Sequence, residues 1–310
     1  MKEESRIAVI VVTYNRERML KRCMEALFQQ TVPLCKICVI DNASTDETEK
    51  MMQVFQRDYP GKIEYIRLDE NTGGAGGFYS GFQWADEYKE WDWLMVMDDD
   101  AAPEPEYTEK LLSKSKEYPE VKSFIGTEYV GYTDQIAYGG RRIIDKERTV
   151  RTKIVSAETY KNPCFYVDTA VFVGLMMHRS VVKQAGYPDA SFFIYYDDTD
   201  YCFRLRPYTK ILHITDAKIF HRENYEKDVV MEGQKTWRLF YLYRNELVIK
   251  KRYIKHWVIR YGWIVKNYLL KVFEILHYKT QKRKNIWIIS RATWDVLNNK
   301  LGRAKYIDEK

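Results

Sequence analysis

A chain of 310 residues with 45% hydrophobic side chains has the apolar content of a globular protein of about two domains, which excludes a disordered or collagen-like chain. Its five cysteines, at positions 23, 35, 38, 164 and 202, form no disulfide framework. No secretory leader precedes the first apolar run and no run is long enough to span a bilayer, so a cytoplasmic protein is expected. The net charge of +6 hides an asymmetry: residues 226–310 carry 20 Lys and Arg against 8 Asp and Glu, and residues 1–225 carry 30 against 36.

Residues 7–12 read as a first strand, and residues 16–30 as a helix with Met19, Leu20, Cys23, Ala26 and Leu27 on one face. Residues 37–40 form the next strand. Cys35 and Cys38 lack the second pair that a zinc site needs and read as packing. Asp46 is placed to cap a helix running to about Gln56. Residues 63–68, 75–88 and 93–97 complete a βαβαβαβ series, which predicts a parallel sheet with right-handed crossovers. Further on, 124–130, 166–177 and 211–220 read as strands, and 104–117 and 179–185 as helices. From Gly233 the pattern is helical, so the predicted division is a catalytic domain of residues 1–228 and a basic helical region of 229–310. Within the latter, residues 254–276 place Trp257, Val258, Val265 and Leu269 among the apolar positions of an amphipathic helix, with Lys255, Arg260, Lys266 and Lys271 elsewhere on the wheel. Such a helix docks on the catalytic domain or lies on an anionic membrane.

The acidic triplet Asp98-Asp99-Asp100 directly follows the apolar run 93–97, so it should emerge at the carboxyl edge of the sheet, where open α/β sheets bind ligands. Three adjacent carboxylates repel one another, and a divalent cation with phosphate oxygens makes the cluster favourable; the alternative is a solvated turn. Asp41 ends the second strand on the same edge, where a carboxylate can accept the imide N–H of a uracil or thymine ring. Asn71-Thr72-Gly73-Gly74-Ala75-Gly76-Gly77 opens a helix and lets backbone approach phosphate or sugar oxygens, or simply allows tight packing; it is not a G-x-x-x-x-G-K-[ST] loop. Asp197 and Asp198 stand behind an aromatic run that would raise a carboxyl pKa, as a general base requires. His221 is a candidate third metal ligand.

These motifs, together with Thr13-Tyr14-Asn15-Arg16 after the first strand, occur in the order and spacing of glycosyltransferase family 2, and over about the first 225 residues the chain resembles its galactofuranosyltransferase branch, with rhamnosyltransferases close by. The resemblance implies a GT-A fold, α/β with a mostly parallel sheet, followed by a helical C-terminal extension. It implies an inverting transfer, most similar to that of galactofuranose from UDP-galactofuranose, to a hydroxyl of a cell-surface glycan or lipid-linked acceptor. A rhamnosyltransferase using dTDP-rhamnose and a non-catalytic nucleotide-sugar-binding module are the alternatives. Carried over by residue, Asp98, Asp100 and His221 would hold Mg or Mn, with His213 a competing histidine, and Asp198 would be the base. Thr13, Asn15, Arg16, Asp41, Asn71, Gly73, Gly74, Asp98 and Asp99 would hold the donor. The basic tail then suits a peripheral position at the inner face of the cell membrane, or contacts in a homo-oligomer. Acids at the sheet edge argue against nucleic acid as a partner.

Overall fold

A computed structural model of the chain describes residues 5–221, 236–278 and 281–308. It begins with β1 (Ile7–Thr13), α1 (Glu17–Phe28), β2 (Lys36–Asp41), α2 (Thr48–Asp58), β3 (Ile63–Arg67), α3 (Gly73–Tyr88) and β4 (Trp93–Asp98). The middle of the chain forms β5 (Ala101–Pro103), α4 (Tyr107–Glu117), β6 (Ser123–Val130), β7 (Arg141–Lys146), β8 (Arg151–Ile154), β9 (Cys164–Val167), β10 (Thr169–Ala170), β11 (Leu175–His178) and α5 (Arg179–Ala185). Then come α6 (Asp197–Leu205) and β12 (Ile211–His221), followed by the helices α7 (Thr236–Tyr253), α8 (Trp257–Tyr278), α9 (Lys282–Leu297) and α10 (Lys305–Asp308). The fold is mixed α/β, with a mostly parallel central sheet and a helical C-terminal region.

Among the described residues the main sheet runs β3-β2-β1-β4-β11-β6-β12-β5, with β9 alongside β12. The β3-β2-β1-β4 half is parallel, as the alternating pattern predicts. Every residue of β1 is buried because both faces are covered. Alternate side chains point to opposite faces: Ile7, Val9 and Val11 pack with Leu20 and Met24 of α1, while Ala8, Ile10 and Val12 pack with Phe78 and Phe82 of α3. Cys38 lies in the second of these cores with Cys35 packed against it, both as free thiols.

One expectation is corrected and one helix start is shifted. Residues 166–177 are not one strand: β9 pairs with β12, β10 pairs with β7 in a separate small sheet, and β11 returns to the main sheet between β4 and β6. An apolar run carries no signal for a change of sheet, but Gly174 does mark the last re-entry, with φ +78° and a position where a Cβ would sit 2.4 Å from the Tyr107 hydroxyl. The helix expected over 254–276 is α8, which starts three residues later, at Trp257; α7 ends at Tyr253, and Ile254 is buried in the break between them. Arg260 closes that break by donating to the Ile254 and Lys255 carbonyls. The helices share a core with Ala75, Val150, Phe192 and Phe203 of the preceding α/β region. The expected boundary at 228/229 lies outside the described residues.

Candidate active site at the carboxyl edge of the sheet

In the β3-β2-β1-β4 half the chain builds outward from β1 in both directions, so the carboxyl ends of β1 and β4 flank a topological switch point, where α/β sheets bind ligands. The register sets Val12 opposite Asp98 and Thr13 opposite Asp41. The Thr13 hydroxyl donates to Asp99 Oδ2 at 2.6 Å, tying the end of β1 to the acidic turn. Arg16 Nη1 lies 3.3 Å from Asp99 Oδ1 and 3.0 Å from Asp100 Oδ2. Burial works against the Arg16 charge, but Asp99, Asp100 and then Asp98 more than offset it and raise its pKa.

His221 reaches this turn from more than a hundred residues away because β12 runs antiparallel to β5, the short strand leaving the triplet, and pairs His221 with Ala101. Its Nε2 lies 2.9 Å from Asp100 Oδ1 and 4.0 Å from Asp98 Oδ2. One ligand atom from each of Asp98, Asp100 and His221 falls within 4.8 Å of the others. Burial alone would lower the His221 pKa, but Asp100 and then Glu128 push it up to about 10. Desolvation and then repulsion from Asp100 raise the Asp98 carboxyl above its ordinary range, moderated by the 44% of its side chain that stays exposed. Burial, opposed by Arg16, pushes Asp99 up to about 6. Two carboxylates and an imidazole make a donor set of two oxygens and one nitrogen that fits a divalent cation. His213 is elsewhere: fully buried, stacked on Phe165 and bonded to Thr127, with burial and Arg141 driving its pKa well down.

Asp197 and Asp198 open α6 directly after a loop whose Phe193, Tyr195 and Tyr196 have positive φ. Such backbone costs about 1–3 kcal/mol per residue and needs external support. Support comes from α7: Asn245 Nδ2 donates to the carbonyls of Phe192, Ile194 and Tyr195, and Arg244 to those of Ser191, Phe192 and Gly302. Burial pushes Asp198 up to about 6, opposed by hydrogen bonds from the Thr199 amide and hydroxyl. Burial, Asp198 and, more weakly, Asp98 raise Asp197. Asp197 thus feels both its neighbour Asp198 and, more weakly, the acidic turn after β4.

The expected donor residues divide into exposed and engaged groups. Asp41 is fully buried, with Oδ1 accepting from the Ser44 amide and Oδ2 from the Tyr65 hydroxyl at 2.5 Å. Asn15 accepts from the Thr45 amide and its own N–H donates to Ser44, which pins the loop after β1 to the loop after β2. Asp46 accepts from the amides of both Glu17 and Thr48, so the predicted cap serves the starts of two helices. Asn71 accepts from the Gly73 amide. Gly73 has φ +74° and no room for a Cβ, which would sit 2.0 Å from the Phe193 carbonyl oxygen; Gly76 and Gly77 are closed against Thr72 and Val12, and Gly74 faces open space.

The description "Glycosyl transferase family 2" matches residues 8–186, more than half of the chain, including the acidic triplet and the glycine loop and ending before Asp198 and His221. The chain belongs to that family. Among relatives of this family 2 chain, a dTDP-rhamnosyl transferase of Shigella flexneri is 24% identical over 97% of the chain and 99% of its own length. The glycosyltransferase AglE of Haloferax volcanii is 28% identical over 58% of the chain and 55% of its own length. A teichoic acid poly(glycerol phosphate) polymerase of Staphylococcus epidermidis is 34% identical over 23% of the chain, and the chain covers only 10% of that polymerase. Among solved structures, GalNAc-T7 with UDP, GalNAc and Mn2+ shares the fold at TM-score 0.63 and 14% identity, covering 97% of this chain and 59% of that one.

Two residues of this family 2 site escaped the sequence reading. Glu128, on β6 and 3% exposed, bonds His221 Nδ1 at 2.7 Å. Arg141, fully buried on β7, lies 3.6 Å from Glu128 and donates to the Gly126 carbonyl. The available signal was a charge inside an apolar strand: Glu128 falls within the run expected as 124–130, where an acid needs a partner.

Proposed function

We propose that this chain is an inverting, metal-dependent hexosyltransferase acting from a nucleotide-sugar donor on a hydroxyl of a cell-surface glycan or lipid-linked acceptor. The observation that carries it is the gathering of Asp98, Asp100 and His221 at the switch point, and the buried Asp198, whose carboxyl is raised to about 6, supports it. The Asp198 carboxylate takes the acceptor hydroxyl proton while the oxygen forms a bond to the anomeric carbon. The bond from that carbon to the diphosphate breaks on the opposite face, and the nucleoside diphosphate departs with the electron pair. Mg2+ or Mn2+, held by Asp98, Asp100 and His221, would supply charge neutralisation at the leaving diphosphate. Thr13, Arg16 and Asp99 form a braced wall beside that position, and Gly74 is the point of the glycine loop open to close approach by the donor.

The motif resemblance favours UDP-galactofuranose as donor. The end-to-end similarity to a dTDP-rhamnosyl transferase favours dTDP-rhamnose. Uracil and thymine offer the same imide N–H, so the base-binding edge does not separate them. A panel of UDP-galactofuranose, UDP-galactose, UDP-glucose and dTDP-rhamnose, scored by nucleotide release with Mn2+, with Mg2+ and after chelation, decides the donor. Binding of every donor without release of nucleotide from any would instead indicate a non-catalytic binding module.

A further inference from the structure

An amphipathic helix of a globular domain normally buries its apolar stripe, and α8 does so along one edge only. Ile264 and Ile275 are buried, with Tyr268 and Val272 partly so. A second stripe made by Val258, Val265, Leu269, Phe273 and Leu276 stays exposed, at 58% for Val265 and 61% for Leu269. Offsets of 7, 4, 4 and 3 keep these side chains on one helical face over roughly 27 Å. That is too long and continuous to be the scattered apolar exposure of an ordinary surface. No helix among the described residues is long and apolar enough to cross a membrane.

Charge decides what covers the stripe. Residues 255–284 carry eight Lys and Arg against one acid, Glu274, which is already paired with Lys271. A second copy would bring the same excess of positive charge against the first. An anionic surface is complementary. The residues just before α8 add to this: Lys255 and His256 line, with Arg148 and Lys210, a cavity of about 880 Å³, whose acids Glu147 and Asp168 are both engaged by Arg206. Val150 and Phe203 give the same cavity apolar wall.

We infer that α8 lies along the surface of an anionic bilayer, with its exposed stripe in the acyl boundary and the basic cavity at its N-terminal end facing lipid phosphate. Lys266 and the basic residues that open α9 reach the headgroups from the flanks and add electrostatic attraction to such a surface. This inference stands on the C-terminal helices and does not depend on the donor, the acceptor or the transfer reaction.

The test is vesicle co-sedimentation of the full chain on phosphatidylcholine alone and on phosphatidylcholine with phosphatidylglycerol. The wild type should partition at least about tenfold better onto the anionic vesicles and lose that advantage at high salt. Val265→Asp with Leu269→Asp should lower partition by about tenfold or more while the circular dichroism spectrum stays unchanged, because both side chains are exposed. Lys210→Glu with Lys255→Glu should lower binding to anionic vesicles only. Equal partition of the wild type and the Val265/Leu269 variant overturns the inference. So does a concentration-dependent dimer in light scattering that the same variant abolishes, since the stripe would then belong to a second copy. Competition by inorganic phosphate beyond that of sodium chloride at matched ionic strength would make the cavity a free-phosphate site and overturn the lipid assignment. Nucleotide release with a water-soluble acceptor, measured in parallel, reports on the transfer reaction separately and should be unchanged in the variants.

Discussion

The Nδ1 of His221 bonds Glu128 at 2.7 Å while the Nε2 of the same ring lies 2.9 Å from Asp100. One buried carboxylate therefore sets the direction in which the imidazole presents its other nitrogen, and the Arg141 guanidinium lies 3.6 Å from that carboxylate on its other oxygen. Partners of this kind typically tune metal affinity by about 10–100-fold. Glu128→Gln should weaken Mn2+ binding by about that factor, read by electron paramagnetic resonance titration of protein whose circular dichroism is unchanged. Undiminished affinity would mean that Glu128 does not orient the ring.

Asp198→Asn should lower turnover by about 100- to 10,000-fold and leave nucleotide affinity within a small factor, as measured by calorimetry. Turnover near that of the wild type would remove Asp198 from the role of base.

The pH dependence follows from the same residue. The Asp198 carboxyl sits at about 6 in the folded chain against an ordinary value of 3.8, so a base at this position becomes competent as pH rises through about 6, and the turnover profile should have its rising limb there. The stability sign is opposite. The raised carboxyl leaves the fold unpenalised below the ordinary value, and stability is lost as pH rises through about 6. Asp198→Asn should therefore melt a few degrees higher than the wild type at pH 7.5 and no higher at pH 4; a lower melting temperature at pH 7.5 would contradict the sign.

Asn245 holds three carbonyls of the loop before α6. The amide nitrogen has two hydrogens to share among the three carbonyls, so at roughly 1 kcal/mol net for each hydrogen bonded, Asn245→Ala should cost about 2–3 kcal/mol and lower turnover as well, because the loop carries Asp198. Urea denaturation and steady-state assays would show both losses together. A loss of stability with full turnover would separate the loop from the chemistry.

The glycines give a paired contrast. Gly73→Ala places a Cβ against the Phe193 carbonyl at a positive φ and should disrupt the loop and lower the melting temperature. Gly74→Ala meets nothing within 4 Å, so the fold should survive it. If the donor lies against Gly74, that variant should raise the KM for donor several-fold with little change in melting temperature.

Continuous apolar runs and three-and-four patterning made the β1-to-β4 half legible, because a parallel sheet buried on both faces demands the first and its helices demand one apolar face. The position of Asp98 to Asp100 at the end of β4, and of Asp41 at the end of β2, follows from that pattern. The run 166–177 misled because burial looks the same in one strand as in three short strands shared between two sheets. In the 254–276 pattern the apolar residues were visible, but which of them face the core and which face outward was not.

By itself, the sequence determined the half-sheet, the order of its motifs and the carboxyl-edge placement of the acids, since each depends on neighbours within a few residues. Tertiary structure alone decided that His221 rather than His213 meets the acids, through the β12–β5 pairing. It decided that Glu128 and Arg141 stand behind His221, and that Arg244 and Asn245 brace the loop before Asp198. It also assigned Gly73, Gly76 and Gly77 to packing and left Gly74 open. Each of these depends on the register between segments tens of residues apart, and register is a property of the assembled sheet rather than of any local run.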